Sequence, residues 1–161
     1  MMFEVAELEY KKQHCPIYLN EKDKKYAQEF VKSNKIETEK LVGIHIGASK
    51  RWPSKAWHPA RVKEFIKVLN EKGYEILLFS GPDEKKEEVE KLIYELRKNN
   101  IIIYQNNPSN TIKQFASLVN ICRIIVCSDS LALHVSLALK KPAIALFFCT
   151  SPNEVEDYGI L

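Results

Sequence analysis

The chain has 161 residues, a length that suits one domain. Hydrophobic residues make up 45% and charged residues 28%, and the formal net charge of +3 is too small to indicate nucleic-acid binding by itself. No stretch approaches the roughly 18–20 apolar residues of a membrane span, and the acidic start is unlike a signal peptide. We therefore expect a cytoplasmic globular protein with no nucleic-acid partner and at most peripheral contact with the inner membrane face.

The four cysteines form neither a CxxC pair nor a zinc-finger spacing with histidine. Cys122, Cys127 and Cys149 lie in or beside apolar runs, so we expect them to be buried thiols rather than disulfide partners or metal ligands. That usage is typical of a reducing compartment. No HxxxH pair or acidic cluster marks a metal site, and we predict neither a metal nor a cofactor.

The first 40 residues indicate a linker or N-terminal arm, with a helix over about 21–33. From residue 41 onward, short apolar runs alternate with segments of helical periodicity. The predicted strands are 41–46, 75–79, 101–104, 123–127 and 143–147, and the predicted helices are 59–72, 83–98, 111–120 and 130–139. Strands that are apolar throughout are covered on both faces, so this alternation predicts an α/β fold with a parallel sheet between two helical layers.

Ligands of such sheets bind at the carboxyl ends of the strands, in the loops that lead into helices. The first of these loops runs from Gly47 to Trp57. Its small residues allow a ligand to approach the backbone, and Lys50 and Arg51 can neutralise phosphate. The alternative is a surface loop that its tryptophans anchor, with both cations in solvent.

Two further loops carry polar residues at strand ends. Asp83 and Glu84 follow a Ser-Gly-Pro turn, where an acid can accept hydrogen bonds from sugar hydroxyls or simply complement a helix N-terminus. Asp129 and Ser130 stand between an apolar strand and a buried helix. Capping explains either residue, yet an open helix N-terminus also binds anions. His134, one turn along, is either a ligand contact or a hydrogen-bonded core histidine.

Several motifs occur in a fixed order between Val42 and Tyr158. They are Lys50-Arg-Trp-Pro53 with Trp57, Gly81-Pro-Asp-Glu84, Asp129-Ser-Leu-Ala-Leu-His134 with Ala138, Pro142, and Thr150-Ser-Pro152 with Tyr158-Gly159. Together they resemble the C-terminal domain of the lipopolysaccharide heptosyltransferase family, glycosyltransferases of GT-B architecture. The resemblance implies that residues 41–161 form one Rossmann-like half of that architecture, C-terminally short, and that residues 1–40 correspond to the interdomain linker.

The resemblance also implies a donor site for a nucleotide-activated sugar, typically ADP-heptose, that needs no metal. By their positions in the motifs, Gly47, Ala48 and Lys50 would face the diphosphate. Glu84 would hold the ribose or adenosine side, and Asn110 falls where the family lines the adenine pocket.

In the third motif, Asp129 would meet the hydroxyls of the donor sugar. Ser130, the backbone that follows at Leu131, and His134 would bind the diphosphate and the sugar. A helix N-terminus and a lysine can stabilise a leaving pyrophosphate by fixed electrostatics. The family pattern has Gly where this chain has Leu131, which keeps the N–H group but adds bulk beside the phosphate.

In this family the lipopolysaccharide core acceptor and the catalytic base belong to a second, N-terminal domain. The resemblance therefore implies that this chain is the donor-binding half of a glycosyltransferase, with no catalytic residue of its own. Contact with the acceptor would come through the missing domain. The alternative is a non-catalytic or degenerate nucleotide-sugar-binding module.

Overall fold

A computed structural model describes residues 7, 9, 13–47, 51–82 and 86–159. Within these ranges the strands are β1 (Leu41–His45), β2 (Glu75–Phe79), β3 (Ile103–Gln105), β4 (Ile124–Ser128) and β5 (Ala143–Leu146). The α-helices are α1 (Glu21–Asn34), α2 (Pro59–Glu71), α3 (Lys86–Lys98), α4 (Ile112–Ile121) and α5 (Leu131–Ala138). Short 3-10 turns occupy Thr38–Lys40, Pro53–Lys55 and Pro152–Glu154.

The described strands form one sheet in the order β3-β2-β1-β4-β5, and every neighbouring pair is parallel. In register, Val42 of β1 lies between Ile76 of β2 and Ile124 of β4. The chain builds outward from β1 to β3 and then returns to place β4 on the other side of β1. This reversal makes the carboxyl ends of β1 and β4 the topological switch point, where open α/β sheets bind their ligands.

Each strand sends alternate side chains to opposite faces of the sheet. On one face Val42 and Ile44 pack with α2 and α3, in a cluster that includes Val62 and Leu92. On the other face the strands meet α1, α4 and α5, in a cluster that includes Phe115. The predicted α/β class, a parallel sheet between helical layers, is confirmed.

Local signals begin and end most helices near their predicted positions. His58 precedes Pro59 and its Nδ1 accepts a hydrogen bond from the Ala60 backbone N–H, which caps α2. At α4, Thr111 and Gln114 form a reciprocal capping box.

The predicted start of β3 at residue 101 is wrong by two residues. Asn100 adopts a left-handed backbone conformation (φ 59°) and ends the helix before it. The Ile101 N–H donates to the Leu96 carbonyl at 3.2 Å, so Ile101 closes α3 instead of opening β3. The strand then begins at Ile103, which pairs with Ile76.

The segment before α1 packs onto the rest of the structure. The Ile17 N–H donates to the Ala138 carbonyl at 3.3 Å, and His14 Nε2 lies 2.8 Å from the Leu137 carbonyl oxygen, both at the end of α5. Ile17 and Leu19 contact the buried cluster on that face. This segment and α1 therefore cover the same face of the sheet as α4 and α5.

The cysteine prediction holds at two of its three positions. Cys122 and Cys127 are buried and free, and burial raises the pKa of the Cys127 thiol to about 12, helped by the Asp129 carboxylate. The expectation for Cys149 is wrong, because that side chain is exposed. It follows β5, an edge strand with partly exposed residues at its carboxyl end, so an apolar run there does not imply burial.

Candidate functional site at the carboxyl ends of β1 and β4

A side-chain hydrogen bond joins the end of β4 to the chain just after β1. The hydroxyl of Ser128, fully buried at the end of β4, donates to the carbonyl of Gly47 at 3.4 Å. Gly47 itself is buried. Asp129 and Ser130 follow Ser128 directly in the chain.

Asp129 is held by a lysine and a threonine from two other loops. Lys55 Nζ lies 2.5 Å from Asp129 Oδ2, and the Thr150 hydroxyl donates to the same oxygen at 2.9 Å. Burial by itself would raise the pKa of the Asp129 carboxyl. The hydrogen bonds from Lys55 and Thr150, with the charges of Lys55 and His134, outweigh it and leave that pKa below its ordinary value. Asp129 is therefore an ionised acceptor at neutral pH.

The N-terminus of α5 has no side-chain cap. The Ser130 hydroxyl turns away from the helix, donating to the Ser128 carbonyl at 3.1 Å and lying 3.4 Å from His45 Nδ1. The first helical hydrogen bonds run from the Leu133 and His134 N–H groups to the Ser130 carbonyl. The N–H groups of Leu131 and Ala132 therefore have no intrahelical acceptor. This end of the helix carries the positive end of the helix dipole and suits an anion.

Two α5 side chains at this end face outward. Leu131 is 54% exposed and His134 is exposed, whereas Ala132 and Leu133 are buried. Leu131 therefore adds its bulk on the solvent side of the first turn.

His45, the last residue of β1, lies next to Ser130 at this end of the sheet. It is buried, and its ring packs edge-on against Phe115. Burial lowers the pKa of His45 to about 4, so the ring is neutral at pH 7. His45 is in this respect a structural residue.

A second opening lies at the carboxyl ends of β2 and β3. This cleft has a volume of about 400 Å³, and its lining includes Ser80, Gly81, Gln105 and Asn106. Asn106 is buried and exchanges two hydrogen bonds with the Ser80 backbone, accepting from its N–H at 2.8 Å and donating to its carbonyl at 3.0 Å. The polar group thereby fixes the end of β2 against the end of β3.

The structure brings together five of the residues singled out from the sequence. They are Gly47, Asp129, Ser130, Leu131 and His134, all at the switch point. Ala48, Lys50 and Glu84 lie outside the described residues.

Asn110 lies apart, at the loop between β3 and α4. Its amide nitrogen donates to the Tyr26 hydroxyl of α1 at 2.7 Å, and its amide oxygen is 3.5 Å from Asn106 Nδ2. Asn110 thus contacts Asn106, which lines the second cleft, and it lies away from the switch point.

Sequence reasoning gave no role to Lys55, Thr150 or Asn106. Lys55 resembles any surface lysine, and only the folding of its loop onto Asp129 sets it apart. Thr150 belongs to a motif, but no local pattern links it to a residue 21 positions earlier. Asn106 directly follows a strand, and a polar residue at that place is a signal that could have identified it.

The described residues contain no group of three His, Cys, Asp or Glu side chains placed to hold a metal. Within the same ranges no helix is long and apolar enough to cross a membrane. What the switch point offers is an open helix N-terminus, a lysine and an ionised carboxylate side by side. That combination can bind an anion and, next to it, a group rich in hydroxyls.

The chain is similar to known proteins along most of its length. A family model described as Glycosyltransferase family 9 (heptosyltransferase) matches residues 1–160. The chain is 32% identical over 112 residues to lipopolysaccharide heptosyltransferase 2 of Salmonella typhimurium, in a match that covers 69% of this chain and 30% of the relative. The chain thus spans about a third of the length of the curated relatives it matches.

Solved structures show the same fold. ADP-heptose LPS heptosyltransferase II of Escherichia coli matches with a TM-score of 0.70 and 25% identity, over 85% of this chain and 40% of that one. Escherichia coli heptosyltransferase WaaC, solved with ADP-2-deoxy-2-fluoro heptose, matches with a TM-score of 0.60 and 20% identity, over 78% and 38% of the two chains. The sheet described above is therefore the fold of one domain of such proteins.

Proposed function

Because this chain belongs to glycosyltransferase family 9, the heptosyltransferases, we propose that its switch point binds the nucleotide-sugar donor, ADP-heptose, for transfer to a lipopolysaccharide core acceptor. The observation that carries the proposal is the uncapped N-terminus of α5 directly beside the ionised Asp129. The two features match the two halves of such a donor. A diphosphate is an anion, and the sugar presents hydroxyl groups.

In the proposed complex the diphosphate lies at the first turn of α5. The N–H groups of Leu131 and Ala132 point toward it, and the dipole of the helix favours its charge. When the bond between the sugar and the diphosphate breaks, negative charge grows on the leaving diphosphate. Fixed donors stabilise that charge without reorganising, which is the contribution this domain makes to the reaction.

The sugar then lies against Asp129, whose carboxylate accepts hydrogen bonds from its hydroxyls. The nucleoside extends toward the second cleft, where Asn106 and Asn110 are placed. In this proposal the lipopolysaccharide core acceptor binds, and the catalytic base lies, outside the described residues. A related heptosyltransferase binds ADP-2-deoxy-2-fluoro heptose, which supports an ADP-linked heptose as the donor class.

Titration calorimetry of the whole chain with ADP-heptose, ADP and UDP tests the proposal. We expect the two adenine ligands to bind more tightly than UDP, and Asp129→Ala and Lys50→Ala each to weaken ADP-heptose binding. Lys63→Met provides the control, since Lys63 pairs with Glu95 on the α2–α3 surface. Equal ADP-heptose affinity in the wild type, Asp129→Ala and Lys50→Ala would contradict the assignment of the site.

A non-catalytic nucleotide-sugar-binding module is the second candidate, and Leu131 is the residue that favours it. Its exposed side chain stands at the helix N-terminus where the family pattern has Gly. Under this alternative, Leu131→Gly increases ADP-heptose affinity several-fold because the diphosphate gains access to the backbone. If Leu131→Gly binds ADP-heptose with unchanged affinity, the size of the side chain at this position does not affect donor binding. The second candidate then has no observation in its favour.

A further inference from the structure

We propose that Lys55 is a positioning residue that fixes the carboxylate of Asp129 so that one of its oxygens is presented to the donor sugar. The inference rests on the proposed function of the switch point. It assigns a role to a lysine other than Lys50, the one the sequence motif singles out. It also separates the binding of the sugar from the binding of the nucleotide.

Among the described residues, hydrogen bonds reach only one oxygen of the Asp129 carboxylate. Lys55 and Thr150 both bind Oδ2, at 2.5 and 2.9 Å. Within the described part of the chain, no side chain or backbone group binds Oδ1. Two bonds to one oxygen, from two different loops, restrain the carboxylate while the other oxygen keeps its lone pairs. An ionised carboxylate has only acceptor sites, so Oδ1 suits a ligand hydroxyl.

The ion pair is sheltered rather than solvated. The Lys55 side chain is 21% exposed and that of Asp129 is 13% exposed. Exposed ion pairs contribute little because solvent screens them and the side chains must be ordered. In a partly buried pair the screening is weaker, and removing one partner leaves the other charge poorly solvated. Removing Lys55 therefore leaves the Asp129 carboxylate less stabilised.

The loops that carry the two partners are themselves in contact. Lys55 ends the 3-10 turn Pro53–Lys55, and the neighbouring Ser54 hydroxyl lies 3.4 Å from the exposed thiol of Cys149, next to Thr150. The turn and the segment after β5 thus meet around Asp129. The carboxylate is held in place before any ligand arrives, which reduces the ordering needed on binding.

The consequence is selective. Lys55 acts on Asp129, which contacts the sugar. Its loss should therefore weaken the binding of ADP-heptose and leave the binding of ADP unchanged. A lysine that bound the diphosphate directly would affect both ligands alike. Comparison of ADP-heptose with ADP therefore separates positioning from direct phosphate binding.

The experiment is calorimetric titration of the full chain and its Lys55→Met variant with ADP-heptose and with ADP. We expect Lys55→Met to reduce ADP-heptose affinity roughly tenfold, the usual effect of losing one hydrogen bond to a charged group, and to leave ADP affinity within about twofold. Lys55→Arg keeps the charge and should recover part of the loss. The matched control is Lys63→Met, which removes a similar pair (2.6 Å, side chains 30% and 35% exposed) on another surface and should change neither affinity.

A second readout follows Asp129 itself by NMR titration of its side-chain carboxyl carbon. Lys55→Met should raise the pKa of Asp129, and Lys63→Met should leave it unchanged. Equal losses for ADP and ADP-heptose in Lys55→Met, no loss for either ligand, or an unchanged Asp129 pKa overturns the inference while the donor site stands. A folded wild-type chain that binds neither ligand overturns the proposed function, and the inference with it.

Discussion

Asp129 precedes Ser130 in the chain and His45 Nδ1 lies 3.4 Å from the Ser130 hydroxyl, and the protein holds these two neighbours in different charge states. Asp129 is an anion because Lys55 and Thr150 compensate for its partial burial. His45 is neutral because burial disfavours its charged form. The charged group is thus at the mouth of the site and the neutral one is beneath it.

The neutral state of His45 has a consequence for stability. Its pKa in the folded protein is about 4, below the ordinary value of 6.5 that applies after unfolding. As pH falls below 6.5 the unfolded chain takes up a proton before the folded chain does. His45 therefore removes stability between about pH 6.5 and pH 4, and no more below that range. Between pH 7 and pH 5 the loss is about 2 kcal/mol.

Urea unfolding of the wild type and His45→Gln at pH 7 and pH 5 measures this effect. The glutamine does not titrate, so the free energy of unfolding of the variant should fall less between the two pH values. The comparison uses the slope with pH, so any constant destabilisation by the substitution cancels. Parallel pH dependences in the two proteins would contradict the assignment of a buried neutral histidine.

Residue roles were the least predictable part of the site. Asp129 and Ser130 could be found because they stand between an apolar strand and a helix, where ligands bind in this fold class. Lys55 could not be found, since its partner is 74 positions away and only loop packing joins them. Cys149 was misjudged for the same reason, because exposure at an edge strand is a property of the sheet and not of the local sequence.

At the scale of elements, β1 depends on a glycine in its centre. A Cβ atom added at Gly43 would overlap Ile125 Cδ1 and would lie 2.8 Å from Phe79 Cε2 and 2.9 Å from Cys122 Sγ. Side chains of β2, β4 and the end of α4 therefore converge on this point. The absence of a side chain lets them close over β1 at native packing density.

Gly43→Ala should destabilise the protein by roughly 1–3 kcal/mol, the usual cost of overpacking a core. The free energy of unfolding in denaturant measures it. Gly73→Asn is the control, because Gly73 has a left-handed φ of 78° that Asn tolerates and no atom within 4 Å of an added Cβ. A Gly43→Ala protein as stable as the wild type would mean that the strands are less closely packed than described.

The helices and the central strands could be predicted from apolar periodicity, because the spacing of apolar residues along the chain reflects which side chains are buried. The helix predicted over 59–72 is observed as Pro59–Glu71, and the apolar helix predicted over 130–139 is the buried α5. The start of β3 could not be predicted from periodicity. It depends on the left-handed conformation of Asn100, which apolar periodicity cannot distinguish from the start of a strand.

For the whole molecule, the strand order explains why the predicted residues meet. Asp129 and Gly47 are far apart in sequence, but β1 and β4 are neighbours and parallel, so both residues emerge at one edge of the sheet. The sequence predicts the parallel sheet from βα alternation, yet alternation alone does not give the strand order. The order places the open helix end and the carboxylate at the switch point.

Amide NMR spectra recorded during titration of the full chain with ADP-heptose would locate the proposed nucleotide-sugar site. We predict that the largest shifts occur at the amides of Gly47, Ser130, Leu131 and Ala132, with smaller shifts at Ser80 and Asn106. Amides near Lys63 on the α2–α3 surface should not move. Saturable shifts centred on that surface, or a folded protein whose switch-point amides do not respond, would rule out donor binding at the switch point.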